Sequence, residues 1–171
     1  MKKFLLSLVL LIALFSVVGC SVKKKENNNN GNKEPEEVKE TVKVGTFSLS
    51  LTEKGSFYEM SYLFPKGTVV NSLGTYTILV YVKDKSTDAV LFRVPISKFE
   101  NKTIDAAVGN GFTKVEDKEM NGITWSIYKD SNDKHSYATM YNNTVYCVGF
   151  MSDEDMTSFE NAFMNTVKFG K

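Results

Sequence analysis

Between Lys114 and Phe150 three tight turns cut the chain into four pieces of strand length, and that punctuation leaves little freedom in the fold. Asn121-Gly122 joins Lys114–Met120 to Ile123–Lys129, and Asn-Gly is the strongest short hairpin signal because both residues accept a positive φ. Asp130-Ser-Asn-Asp-Lys134 leads into His135–Tyr141, and Asn142-Asn143 leads into Thr144–Phe150. The spacing predicts a four-strand antiparallel meander. In its last strand Val145, Cys147 and Gly149 point one way and Tyr146, Val148 and Phe150 the other. Both faces are apolar, as in a strand covered on both sides. By the same alternation Trp125 joins Ile123 and Ile127 on the core side, and Tyr128 falls on the opposite face with Thr124 and Ser126.

Upstream, Phe47-Ser-Leu-Ser-Leu-Thr52 alternates strictly and predicts a half-buried strand. Glu53-Lys54-Gly55-Ser56 predicts a turn, after which Tyr58, Met60, Tyr62 and Phe64 mark a second strand, paired with the first as a hairpin and stopped by Pro65-Lys66-Gly67. Thr75–Lys83 and Ala89–Ile96 are apolar on both faces and predict central strands, with Pro95 suited to a strand end. Two helices are expected. Thr103 can cap a short one whose apolar stripe is Ile104, Ala107 and Val108, with a left-handed exit at Asn110-Gly111. Ser152-Asp-Glu-Asp155 has the pattern of a capping box. Met156, Phe159, Phe163 and Val167 then mark one face of a helix of about fourteen residues. The sum is an α+β domain over residues 44–171, a mostly antiparallel sheet with a short central helix and a C-terminal helix.

This order of elements, together with segments such as FSLSL and NGITWSIY, resembles the Mog1/PsbP-like α-β-α sandwich across Val44 to Lys171. Members of that fold include a photosystem extrinsic subunit and an adaptor for a small GTPase. The resemblance therefore implies a binding role more than catalysis, although fold does not fix function.

The first twenty residues, MKKFLLSLVLLIALFSVVGC, have a positive start, an apolar middle and a small-residue end at Gly19-Cys20, the three parts of a secretory signal. Val17-Val18-Gly19-Cys20 resembles the lipobox of bacterial lipoproteins, in which a peptidase cuts before a cysteine already carrying a diacylglycerol thioether. That resemblance implies a leader over residues 1–19 and lipidation at Cys20. The mature chain would then be extracytoplasmic and lipid-anchored to the cell membrane. From Ser21 to Lys43 the sequence is Lys-, Asn- and Glu-rich with hardly an apolar side chain, so residues 20–43 read as a disordered tether. As a coil it would span roughly 25 Å on average.

The chain has 21 basic and 20 acidic residues, two of the basic ones within the leader. A charge so near zero argues against a nucleic-acid partner. With Cys20 taken by lipid, Cys147 alone remains and no disulfide can form within the mature chain; its apolar setting reads as a buried thiol rather than a nucleophile. The single histidine, His135, excludes a zinc site of several imidazoles. Asp130, Asn132, Asp133 and His135 crowd ligand atoms into six residues, but lack the central glycine and distant glutamate of a calcium loop. They read as a polar turn. Glu116, Asp117 and Glu119 read as a solvated strand edge. No Gly-rich phosphate loop, Cys-x-x-Cys, HExxH or GxSxG follows the leader, so no cofactor, metal or catalytic group is expected.

The aromatic strand residues are the remaining signal. Tyr128, Tyr137 and Tyr141 either emerge together as an amphipathic binding patch or lie beneath a second layer. The leading expectation is a non-catalytic domain that binds a protein or another envelope component. The alternative is a small-solute-binding lipoprotein accessory to a transporter. A hydrolase built on carboxylates alone comes third.

Overall fold

A computed structural model describes residues 40–72, 75–83 and 88–170, all within one compact unit, residues 37–171. The expected leader, Cys20 and residues 20–39 of the tether lie outside the described residues. Among those described, strands far outweigh helices. In chain order they are β1 (Thr41–Val44), β2 (Phe47–Ser50), β3 (Glu53–Phe57), β4 (Met60–Phe64), β5 (Thr68–Ser72), β6 (Thr75–Lys83) and β7 (Asp88–Glu100). The short helix α1 (Ile104–Val108) follows, then β8 (Thr113–Met120), β9 (Ile123–Lys129), β10 (His135–Tyr141) and β11 (Thr144–Gly149). Helix α2 (Thr157–Thr166) and β12 (Lys168–Phe169) close the chain.

The meander forms where its turns dictate. Asn121 and Gly122 take φ of 52° and 74°, Asn142 and Asn143 of 47° and 58°, and these left-handed pairs match the twist of the strands they join. β8 to β11 thus lie side by side in one seven-stranded sheet ordered β5-β6-β7-β11-β10-β9-β8, antiparallel throughout. β7 runs through Pro95 to Glu100. Pro95 is tolerated inside the strand because the ladder from β11 ends at Ile96↔Val148 and resumes only as the bridge Arg93↔Met151, leaving a break opposite the proline.

The N-terminal residues do something the sequence did not announce. Thr41–Val44, at the end of the stretch read as tether, is a strand with Val42 and Val44 buried, and it pairs with β2. The second hairpin is β3 with β4, turning at Tyr58 with φ of 54° rather than at residues 53–56. Gly55 lies in mid-strand, where an added Cβ would stand 2.4 Å from the Tyr62 ring. The glycine makes room for that ring. β12 adds to β4, so residues 41–64 and the C-terminus form two small sheets of their own.

These sheets and α2 back one face of the main sheet. Phe159 and Phe163 on α2 meet Phe92 at 4.7 Å and Tyr62 at 5.3 Å between ring centres, and Trp125, Ile96, Val148 and Phe150 complete the core between the layers. The capping box does not form. α2 starts at Thr157, ten residues long, while Ser152 instead accepts from Glu154 N and donates to Leu91 O. The opposite, outer face carries a second, smaller core of Tyr128, Ala138, Val145 and Cys147 beneath Ile104, Ala107 and Val108 of α1.

The α-β-α sandwich is thereby overturned. One outer layer is a helix of five residues, and the other is built of strands as much as of helix, so the fold is a mostly antiparallel β protein with two helices. The sequence predicts seven or eight strands in one sheet; the main sheet has seven, and the strands of residues 41–64 lie outside it. The alternation that marked residues 47–64 as strands could not say that they pair with each other and with the C-terminus.

Candidate functional site

Cross-strand pairs share a face, so the register fixes what the outer face presents. On β9, β10 and β11 it presents Tyr128, Ala138, Val145 and Cys147, covered by α1. Thr103 Oγ1 accepts from Ala106 N to start that helix, and Gly109 N donates to Asp105 O to end it. A helix this short is not stable alone. It is held by its apolar stripe and by Tyr128, whose hydroxyl donates to Asp105 Oδ1 at 2.5 Å. Burial and the Asp105 carboxylate push the Tyr128 hydroxyl well above the ordinary phenol range.

On β5 and β6 the same face has no helix or strand over it among the described residues, while on β7 Phe99 packs with α1 against the smaller core. Val70 pairs with Thr77, and Leu79 with Arg93, all on this side. Tyr81 follows Leu79 two residues on, and the bridge to Arg93 sets Met151 beside them. Val70, Tyr81 and Met151 are 43%, 44% and 47% exposed, high for apolar side chains. Where the open half meets α1, a cleft of about 210 Å³ is lined by Pro95, Cys147, Ala107, Val108, Phe112 and Met151 among others. Burial pushes the Cys147 thiol in its floor up to about 12, so at neutral pH it is an inert thiol rather than a nucleophile. On the far side of α1 a wider, open groove of about 870 Å³ runs past Lys114, Asp117, Ser126, Met140 and Phe169. There Asp117 accepts from Ser126 Oγ at 2.6 Å and from Lys114, which together hold its carboxyl below the ordinary aspartate range.

Tyr128, Tyr137 and Tyr141 do not form a patch. Tyr128 and Tyr137 are 4% and 5% exposed and lie on opposite faces of the sheet. Tyr141 is half-buried and stacks on Phe169 at 4.5 Å. Cys20 lies outside the described residues. The sequence also missed a buried cluster between the layers: Glu160 of α2 receives the Tyr137 hydroxyl at 3.0 Å and lies 2.6 Å from His135 Nδ1. Glu160 is only 7% exposed, and both neighbours are spent on it, so the three tie α2 to β10. Its only trace in the sequence was a carboxylate one residue after Phe159, on the apolar side of the helix.

The turn from Asp130 to Lys134 is held from within. Asp130 Oδ1 accepts from Asn132 N at 2.8 Å and Lys134 N at 2.9 Å, which holds that carboxyl below the ordinary range. Among the described residues no three His, Cys, Asp or Glu side chains stand where they could share a metal ion. No helix among them is long and apolar enough to cross a membrane.

The arrangement defines a mostly antiparallel β domain with one half-open sheet face. No family model matches the chain, and no curated protein does. Among solved structures it is similar to a crystal structure from Bacteroides thetaiotaomicron VPI-5482, at 13% identity and a TM-score of 0.39, over 66% of this chain and 46% of that one. The chain spans less than half the length of that protein, and so distant a likeness carries no argument about function.

Proposed function

We propose that this chain is an extracytoplasmic lipoprotein, anchored through Cys20, whose folded domain binds a protein or another envelope component without catalysing a reaction. The supporting observation is the open half of the outer face, where Leu79 and Met151 flank Arg93 across the ladder and Tyr81 follows Leu79 two residues on. Apolar and aromatic side chains around an arginine are the composition of protein-binding surfaces. The cleft beside α1, at about 210 Å³, is smaller than the roughly 300–1,000 Å³ usual for small-molecule sites, whereas the open groove of about 870 Å³ on the far side of α1 falls within that range and supports a small solute as the second reading.

The anchor and the surface are tested separately on the full chain in its host. Cys20→Ser should move the protein from the membrane to the soluble fraction, and membrane retention of that variant would sink the anchor. A photo-crosslinking residue at Met151 or Tyr81 should give one adduct of common mass that is absent when the residue replaces exposed Ser48 of β2. Adducts equal at all three positions would sink the surface.

A further inference from the structure

The two edges of the seven-stranded sheet are built differently. β8, at one edge, carries five charges in eight residues, Lys114, Glu116, Asp117, Lys118 and Glu119, and a bulge between Lys114 and Glu116 breaks its register. Charge and bulging are the devices by which an edge refuses a further strand. β5, at the other edge, reads Thr-Val-Val-Asn-Ser, with no charge and no proline. It pairs with β6 in unbroken register from Thr68↔Leu79 to Ser72↔Thr75. Thr68, Val69 and Val70 are exposed, and among the described residues no strand lies beyond them. An uncharged edge in unbroken register, with two exposed valines, is a template for another extended strand.

We infer that the occupant is β5 of a second copy, the two strands pairing antiparallel about Val70 so that one sheet runs through both molecules. The segment is its own complement. With Val70 on the two-fold axis, Thr68 falls opposite Ser72 of the second copy and Val69 opposite Asn71, and no charge is brought into the ladder. Pairing β5 to β8 of another copy would instead set Val69 and Val70 against a bulged row of Lys, Asp and Glu. Growth therefore stops at two, because the dimer's outer edges are both β8, and the two-fold interface closes. The joint also carries the open outer face across the axis, since Val70 shares that face with Leu79 and Tyr81.

Paired residues of an antiparallel ladder have Cα atoms about 4.5–5.5 Å apart, within the range a disulfide bridges. Val70→Cys in the full chain should therefore give a covalent dimer on oxidation, seen on a non-reducing gel. Thr77→Cys, one strand further in, would stand three strand spacings, roughly 14 Å, from its copy and should not. The unsubstituted chain controls for Cys20, and Cys147 is buried. Light scattering should show twice the monomer mass for the unsubstituted chain and the monomer mass for Val70→Lys. Equal crosslinking at positions 70 and 77, a Val70→Lys chain that stays dimeric, or a position-70 adduct with a chain of another size would overturn the inference. The readout is the same in membrane and soluble fractions, so it does not depend on the anchor.

Discussion

Glu160 is a carboxylate inside a layer of phenylalanines, and what makes it tolerable is that the Tyr137 hydroxyl and the His135 ring both turn to it. Removing the acceptor leaves the buried Tyr137 hydroxyl and the half-buried His135 ring without a partner, a loss of about 2–3 kcal/mol. Glu160→Leu should show it as a lower urea midpoint, while Glu160→Gln, which keeps a carbonyl acceptor, should lose less than half as much. Equal losses would mean that the cluster holds nothing together. None of this was legible in the sequence, where His135 and Glu160 stand 25 residues apart and only the fold makes them neighbours. Trp125, by contrast, was legible as core from alternation alone and is fully buried. Tyr58 misled for a local reason: a tyrosine holds the left-handed position at the β3–β4 turn, where composition favours Gly or Asn.

At the scale of elements, α1 is the least secured part of the outer face, one turn of helix resting on four side chains and one hydrogen bond to a charged group. That makes it the element most open to local unfolding. Cys147 beneath it reports on this. Burial raises the thiol to about 12, so in the closed state almost no thiolate exists at neutral pH, and labelling tracks the fraction of time α1 is lifted. Tyr128→Phe removes the bond to Asp105, worth about 1.5–3 kcal/mol, and should speed native-state thiol labelling about tenfold or more at fixed pH. An unchanged rate would show that the apolar stripe alone seats the helix. The sign also sets an alkaline limit. The thiol ionises near 9 when unfolded, so the stability that its burial ties to the neutral form is complete below 9 and lost as pH climbs toward 12. The helix itself was legible from Thr103 to Val108, cap and stripe included. The start of α2 was not, because Ser152 serves the loop and β7 instead.

For the whole molecule, the sequence carried the meander nearly residue for residue and failed on what lies behind it. The turns between β8 and β11 are local and self-specifying, whereas the back layer depends on pairings across about a hundred residues, β12 with β4 above all. Alternation says that a strand exists and which side is apolar, and it is silent on the neighbour. β12 shows why that matters for stability. It is two residues long, yet it hydrogen-bonds into the small sheet while Phe169 reaches the main one, stacking on Tyr141 at 4.5 Å, meeting Tyr146 at 4.9 Å and lying 6.3 Å from Trp125. One ring thus joins the two layers. Phe169→Ala should cost about 2–3 kcal/mol, below the figure for a fully buried ring because Phe169 is half-buried. If the layers unfold as one unit, the urea midpoint falls with its slope unchanged. Should the slope drop and tryptophan fluorescence part from circular dichroism, the back layer is a separate cooperative unit that Phe169 fastens to the sheet.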